Sequence, residues 1–322
     1  MLIPFDVTHI PAAAAIWNAA CGADLAISER AMRYNTLPTT GALQEGCVAL
    51  ADGRPVGFVL ASALPASPDV SPPEMGWIDA IAVRPDAQRR GIGSALLAWA
   101  EGWLAEQGCT RARLGGSLRP FAPGLPSDLD SEPFFRRRGY DNRPQGETDW
   151  DVARTLADYT PRHNTQYPIS NTRIRPAKPG DESALLAFFH REFPGRWRFE
   201  FEEFVAAGGR MADFMLLWRE GEVDGFARLT LADSERPLDR FFMHRLPQPW
   251  GQLGPIGVGC GRRGLGLGGA LLDAGLCHLA DLGVNGCVID WTSLVDFYGK
   301  YGFKPYRQYE MLMKALRIVE RG

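Results

Sequence analysis

A strand–turn–helix pattern occurs twice in this chain of 322 residues, and this internal repeat constrains the fold more than any other feature. The stretch VRPDAQRRGIGSALL, which begins at Val83, aligns with VGCGRRGLGLGGALL, which begins at Val258, at an offset of 175 residues (258 − 83). A second matched pair follows, FFRRRGY from Phe134 and FYGKYGF from Phe297. The sequence therefore predicts two similar domains, a number that suits the chain length.

Each half is predicted to contain antiparallel strands followed by a β-α-β-α run. This pattern favours the α+β class, with a mixed, mostly antiparallel sheet flanked by helices in each of two tandem domains. The stretch ADYTPRHNTQYPISN is polar and contains two prolines, which is typical of a linker. The predicted boundaries are 1–156 for the first domain, 157–171 for the linker and 172–322 for the second domain.

Composition narrows the classes of partner. A net charge of −3 with no basic patch argues against nucleic acid and for a small-molecule substrate. No run approaches the roughly 18 apolar residues of a membrane helix, and no signal peptide is evident, so a cytoplasmic protein without a membrane partner is expected. The five histidines have no H-x-x-x-H spacing and the six cysteines no C-x-x-C spacing, so no metal site is predicted. No pattern predicts an oligomeric state.

The glycine-rich turn admits more than one interpretation. Gly259, Gly261 and Gly264 fit the G-x-G-x-x-G pattern of dinucleotide-binding folds, whereas no Gly-Lys-Ser/Thr follows to make a Walker A motif. The first copy lacks G-x-G-x-x-G, and the frame that both copies share is Gln/Arg-x-x-G-x-G. A turn that leads into a helix presents free N–H groups and the positive end of the helix dipole to a phosphate.

With these motifs the chain resembles the GCN5-related N-acetyltransferase (GNAT) superfamily, in a tandem arrangement, and more narrowly it is similar to bacterial glucosaminide N-acetyltransferases. The resemblance implies acetyl-CoA as the cofactor and no metal. It also implies that the strand before each turn is bulged and splayed from its neighbour, which suits Pro255. The implied cofactor-binding residues are Ile81, Ala82, Val83, Gln88, Arg89, Arg90, Gly91, Ile92, Gly93 and Ser94 in the first copy, and Ile256, Gly257, Val258, Arg263, Gly264, Leu265, Gly266, Leu267, Gly268 and Gly269 in the second.

The candidate acids and bases differ between the copies. The family often has a tyrosine four residues before the glycine of its final motif, which here is Tyr298; Phe135 holds that position in the first copy. Asp290 ends an apolar strand and is predicted to be the base or an amine-binding anion, with a strand-end cap or salt bridge as the alternative. The first copy has Asp79 where the second has Gly254. Trp291 and Glu310 are lesser candidates for lining the substrate cleft.

The second half is therefore predicted to catalyse, and the first to bind CoA, to bind substrate or to serve structure only. The predicted reaction moves an acetyl group from acetyl-CoA to the primary amine of a small molecule, with an amino sugar such as glucosamine favoured by the narrower resemblance. Aminoglycoside, polyamine, amino-acid and protein lysine or N-terminal acceptors stay open. A non-catalytic CoA-binding module and a nicotinamide-dependent oxidoreductase are the alternatives from other classes.

Overall fold

The computed structural model of the protein describes residues 1–142, 148–162, 172–239 and 246–316. The described residues form two compact units. Of the described residues, the first unit takes 1–142, 148–149, 239 and 307–316, and the second takes 150–162, 172–238 and 246–306. The last part of the predicted linker, 163–171, lies outside the described residues.

Both halves of the sequence contain strands and helices in alternation, as predicted. Those up to residue 155 are β1 (Leu2–Pro4), α1 (Ile10–Cys21), α2 (Glu29–Asn35), β2 (Leu43–Ala51), β3 (Arg54–Ala63), β4 (Met75–Val83), α3 (Ile92–Glu106), β5 (Arg111–Leu114), β6 (Leu125–Pro126), α4 (Glu132–Arg136), β7 (Asp141–Asn142) and β8 (Asp149–Thr155). Those after it are β9 (Thr172–Pro176), α5 (Glu182–Glu192), α6 (Arg196–Ala206), β10 (Phe214–Arg219), β11 (Glu222–Thr230), β12 (Trp250–Val258), α7 (Leu267–Asp281), β13 (Gly286–Thr292), α8 (Val295–Gly299), β14 (Lys304–Glu310) and β15 (Leu312–Ala315).

The strands form two sheets. One has the order β1-β2-β3-β4-β5-β15-β7 and the other the order β6-β14-β8-β13-β12-β11-β10-β9. The β4–β5 and β12–β13 pairs are parallel, while pairs such as β2–β3, β3–β4, β10–β11 and β11–β12 are antiparallel. The predicted α+β class with mixed, mostly antiparallel sheets flanked by helices is confirmed.

One long helix packs on each sheet through residues at helical spacing. On α3, Leu96, Leu97, Ala100 and Leu104 are buried in one cluster with the β4 residue Ile78. On α7, the buried leucines that share a cluster with Leu253 of β12 are Leu271, Leu272, Leu276 and Leu279. Because each fully buried leucine contributes about 1.5–3 kcal/mol, this packing holds the start of each helix at the end of the central strand.

Two strands pair with a strand from the opposite half of the sequence. β8, at the end of the first half, pairs antiparallel with β13. β15, near the end of the chain, pairs antiparallel with β5. Each parallel strand pair is therefore extended by a strand from the other half of the sequence.

A bulge interrupts the central strand of each sheet at matching positions. Leu60 pairs with Ala80 and Ala61 with Ile78, which leaves Asp79 as the extra residue of β4. In the second sheet the register shifts between Ala227 and Leu229, opposite Gly254 and Pro255 of β12. The parallel pairing with the next strand reaches only Ile78 in β4 and Gln252 in β12. The splayed strands that the family resemblance implied are therefore present in both sheets, and the bulge expected at Pro255 is confirmed.

Candidate active site

The first glycine turn opens directly onto the start of α3. Gly91 caps the helix with a φ of +81°, a left-handed conformation that glycine adopts without a Cβ clash. The first helical hydrogen bond runs from the Ala95 N–H to the Gly91 carbonyl at 3.0 Å. The N–H groups of Ile92, Gly93 and Ser94 therefore lie at the open end of the helix, where an anion can accept hydrogen bonds from them.

The second turn has the same construction. Gly264 and Gly266 have φ values of +78° and +77°, and Gly266 caps α7. The Ala270 N–H bonds to the Gly266 carbonyl at 3.0 Å, which leaves the N–H groups of Leu267, Gly268 and Gly269 at the helix start. A Cβ built on Gly268 would meet no heavy atom within 4 Å. Both turns can therefore take a phosphate group against their backbone.

The side chains of the turns have partners that the sequence did not predict. The Gln88 amide donates to the Val83 carbonyl at 3.0 Å and so braces the first turn against its own strand. In the second turn Arg262 pairs with Asp224 at 2.9 Å, and Glu192 accepts from the Cys260 N–H at 2.7 Å. Arg89, Arg90 and Arg263 are exposed. These three guanidinium groups are accessible cations close in sequence to the helix starts.

Arg138 adds a group at the first helix start that sequence reasoning missed. Its guanidinium donates to the Ser94 hydroxyl and lies 3.8 Å from the centre of the Phe134 ring. The signal was available in the run of arginines in FFRRRGY, but no pattern in the sequence relates that run to Ser94. Arg138 brings positive charge to the mouth of the first turn.

The first unit contains a buried carboxylate at its bulge. Asp79 accepts hydrogen bonds from Gln44 at 2.8 Å and from Ser62 at 2.7 Å, and a further one comes from Ser117. Burial raises the pKa of this carboxyl, and the three donors oppose that rise. The same three donors line a cleft of about 180 Å³ together with Trp77 and other residues. Asp79 therefore fixes one wall of this cleft.

The second unit places its carboxylate at the bulge from the neighbouring strand. Asp290 of β13 puts Oδ1 only 3.8 Å from the position that a Cβ on Gly254 would take. Gly254 follows Asp79 by 175 residues (254 − 79), and Asp290 follows Gly115 by the same number (290 − 115). Aspartate and glycine have thus exchanged strands between the two units. The Gly115 half of this exchange escaped the sequence analysis, because it becomes visible only when the strands are aligned by register.

Tyr298 lies close to this carboxylate. Its side chain is 4% exposed and packs edge-on against Phe297, with a ring separation of 5.0 Å. Burial and the negative charge of Asp290 raise the pKa of Tyr298, while a hydrogen bond with Thr292 opposes the rise. The phenol therefore carries its proton at neutral pH. The structure brings the two predicted catalytic residues of the second unit together, whereas the first unit has buried Phe135 at the corresponding position.

The second unit contributes three further side chains to the region that includes Asp290. Trp291 directly follows it, and the guanidinium carbon of Arg196 lies 4.8 Å from the centre of a Trp291 ring. Arg236 donates to Thr230 at 2.7 Å and to the Gly254 carbonyl at 3.2 Å, so it holds the bulge in place. Sequence reasoning missed both arginines, since they come from segments that only the fold brings to β12 and β13.

Within the described ranges, no group of three or more His, Cys, Asp or Glu side chains could hold a metal ion. Likewise, no helix in the part of the chain that the structure describes is long and apolar enough to cross a bilayer.

Comparison with known proteins gives a family match in the first half of the chain and sequence relatives that cover most of it. Residues 16–140 match the model of the acetyltransferase (GNAT) family. The mycothiol acetyltransferase of Catenulispora acidiphila is 29% identical over 254 residues, which cover 73% of this chain and 71% of that protein. The mycothiol acetyltransferase of Geodermatophilus obscurus is 28% identical over 240 residues, 69% of each chain.

Solved structures match the whole length of the chain. The glucosamine N-acetyltransferase region of a fungal multi-domain GH3 β-N-acetylglucosaminidase has a TM-score of 0.86 at 24% identity. That match covers 97% of this chain, which spans only 38% of the longer fungal protein. A tandem GNAT protein from the clavulanic acid biosynthesis pathway has a TM-score of 0.70 at 15% identity and is covered over 99% of both chains. Residues 16–140 therefore match the GNAT family, the whole chain has the fold of tandem GNAT proteins, and the chain is an acyltransferase.

Proposed function

We propose that the second unit transfers an acetyl group from acetyl-CoA to the primary amine of a small molecule, with an amino sugar of the glucosamine class as the acceptor. The observation that carries the proposal is buried Tyr298, whose pKa is raised by burial and by the charge of Asp290, near the point where β12 and β13 separate. A proton donor and a carboxylate at a splayed strand pair are the groups that amide formation from a thioester requires.

The second turn supplies the cofactor site in this proposal. The helix-start N–H groups of Leu267, Gly268 and Gly269 face the pyrophosphate of CoA, and exposed Arg263 adds positive charge. Ile256–Val258 pairs with β11 on one side, and its other edge, beyond the last parallel pair with β13 at Gln252, lies along the pantetheine arm. Bound there, acetyl-CoA supplies the acetyl group as a thioester. The remaining chemistry falls to side chains of this unit.

Two side chains manage the protons of the reaction. Asp290 takes a proton from the incoming ammonium group, which makes the nitrogen a nucleophile. Tyr298 donates its Oη proton to the sulfur that leaves when the C–N bond forms and the C–S bond breaks, and the second proton lost by the nitrogen restores the phenol. The raised pKa of Tyr298 keeps the Oη proton in place until the sulfur becomes basic. Backbone N–H groups freed by the splay stabilise the negative charge on the thioester oxygen.

The first unit has a different part in this proposal. It retains the phosphate-binding turn, with Arg89 and Arg90 exposed beside it. Phe135 has no proton to donate, and the Asp79 carboxylate is occupied by donors from its own unit. We therefore propose that the first unit binds CoA through Ile81–Val83 and the turn residues Gln88–Ser94 without catalysing transfer.

The choice of acceptor rests on the relatives and on the side chains at the site. One structural neighbour is named for glucosamine, and Asp290 with Trp291 offers a carboxylate and an aromatic surface together. The names of the sequence relatives favour a mycothiol-related amine as the second candidate. Aminoglycosides, polyamines, amino acids and protein amines are weaker candidates, because nothing among the described residues favours them specifically.

An amine panel tests the proposal. The full chain is incubated with acetyl-CoA and each amine, and free CoA is measured through its thiol. We expect glucosamine-class amines to give the highest kcat/KM, with Tyr298→Phe as the inactive control. If acetyl-CoA binds by calorimetry but no amine releases CoA, the protein is a CoA-binding module. Thermal stabilisation by NADH and not by acetyl-CoA would indicate the oxidoreductase alternative instead.

A further inference from the structure

Trp291 adopts a backbone conformation that a bulky residue rarely takes. Its φ is +52°, in the left-handed region, and its backbone N–H donates to Oδ1 of Asp151 at 3.1 Å. Asp151 is buried on β8 and thus holds this conformation in place. Strained residues of this kind persist where the surrounding structure determines them, and they cluster at functional sites.

The first unit shows that glycine suffices for this backbone. Gly116 precedes Trp291 by 175 residues (291 − 116) and has a φ of +70°. A Cβ at Gly116 would lie 2.9 Å from the backbone carbonyl oxygen of Pro123, so the first unit has no room for a side chain at this position. The two units share the turn after the parallel strand, but only the second carries an indole on it. A function for the indole therefore accounts for a tryptophan at position 291 despite the energetic cost of its left-handed backbone.

The surroundings of the indole indicate what it contacts. Trp291 directly follows Asp290, and Arg196 at the start of α6 covers it at 4.8 Å. Arg196 in turn pairs with Glu200 at 2.5 Å, which holds the guanidinium in position. A flat aromatic surface backed by a guanidinium thus belongs to the residue that directly follows the carboxylate proposed to receive the amine.

We propose that Trp291 determines acceptor specificity by packing its indole against the ring of the acceptor while Asp290 engages the amine. This inference rests on the proposed function and deepens it: the acceptor is an amine on a cyclic polyhydroxylated scaffold, whose C–H face packs on the indole and whose hydroxyls stay at the polar edge. A linear polyamine has no such face and gains nothing from the indole.

Kinetics of Trp291→Gly, Trp291→Phe and Glu220→Gly test the proposal. Glu220 has a φ of +53° in the exposed turn between β10 and β11, so its replacement relieves a similar strain away from the site. For glucosamine, or for whichever amine the panel shows to be turned over fastest, Trp291→Gly should raise the acceptor KM about 10-fold, a ratio equivalent to one aromatic contact. The KM of Trp291→Gly for acetyl-CoA should stay within about twofold of the wild-type value. Trp291→Phe should restore the acceptor KM substantially, and Glu220→Gly should change neither the acceptor KM nor the KM for acetyl-CoA.

Thermal melting separates a role in recognition from a role in packing. Glycine relieves the left-handed strain, so the Tm of Trp291→Gly should fall by no more than about 4 °C, and that of Glu220→Gly should not fall. A fall of more than about 8 °C for Trp291→Gly, or an unchanged acceptor KM, overturns the proposal.

The outcome for Trp291 is distinguishable from that of the proposed function. If wild-type protein acetylates an amine other than an amino sugar, the acceptor class is wrong, and the KM comparison with that amine still decides the role of Trp291. If no amine is turned over, calorimetry of glucosamine with the CoA-loaded protein replaces the KM. Equal binding by wild type and Trp291→Gly, including no binding by either, then overturns the proposal.

Discussion

Replacing Tyr298 by phenylalanine removes one oxygen atom and leaves the aromatic packing in place. The first unit supports this expectation, because Phe135 occupies the corresponding position and packs edge-on against Phe134 at 5.0 Å. The substitution loses the hydrogen bond with Thr292, which is worth about 1 kcal/mol, so the Tm should fall by only about 2–4 °C. Any large loss of activity therefore reports on the hydroxyl and not on folding.

The expected loss follows from the role of a general acid. Tyr298→Phe should lower kcat by about 10²–10⁴, which corresponds to about 2.7–5.4 kcal/mol in the activation barrier. The assay measures free CoA at saturating acetyl-CoA and saturating amine. Tyr301→Phe is the matched control, since Tyr301 is a second buried tyrosine three residues further along the chain, and kcat should stay within about twofold.

The pH profile gives an independent check on the same residue. An acid catalyst is active while it is protonated, and burial together with the charge of Asp290 raises the pKa of Tyr298 above its usual value of 10.0. The wild-type kcat should therefore not decline on the alkaline side through loss of this proton until the pH exceeds about 10. A kcat for Tyr298→Phe within about threefold of wild type at saturating acetyl-CoA would refute the assignment.

Four further substitutions test the turns and the carboxylates. Gly268→Val places a side chain where the phosphate would lie, so calorimetry should show at least about 10-fold weaker binding of acetyl-CoA. If the first turn also binds acetyl-CoA, Gly93→Val should abolish a second binding event. Asp290→Asn should lower kcat/KM about 10²-fold and lower the pKa of Tyr298 in an ultraviolet titration; an unchanged kcat/KM contradicts its role. Asp79 has a raised pKa, so the folded state binds its proton more tightly than the unfolded state. Wild type should thus lose stability relative to Asp79→Asn as the pH rises above about 4 in urea titrations, and a constant difference would refute this reading.

Site residues could be predicted from the sequence when their structural role depends on neighbouring residues in the chain. Glycine spacing predicted the strand–turn–helix junctions at which α3 and α7 begin, since a left-handed cap and a helical face depend on near neighbours. Tyr298 and Asp290 were also predicted from the sequence, through their places in a motif and at a strand end. Arg196, Arg236 and Asp151 carried no such signal, because their partners lie far away in the chain.

The sequence alone determined the two repeats, their strand–turn–helix order, the bulge at Pro255 and the inequality of Tyr298 and Phe135. These features are local, because backbone conformation and helical periodicity are encoded by residues within a few positions of one another. Tertiary structure alone decided that β8 and β15 pair with strands of the opposite half, and that aspartate and glycine exchange strands around the bulge. Strand pairing joins segments that are distant in the chain and is selected by the burial of whole sheet faces, so short-range patterns do not encode it.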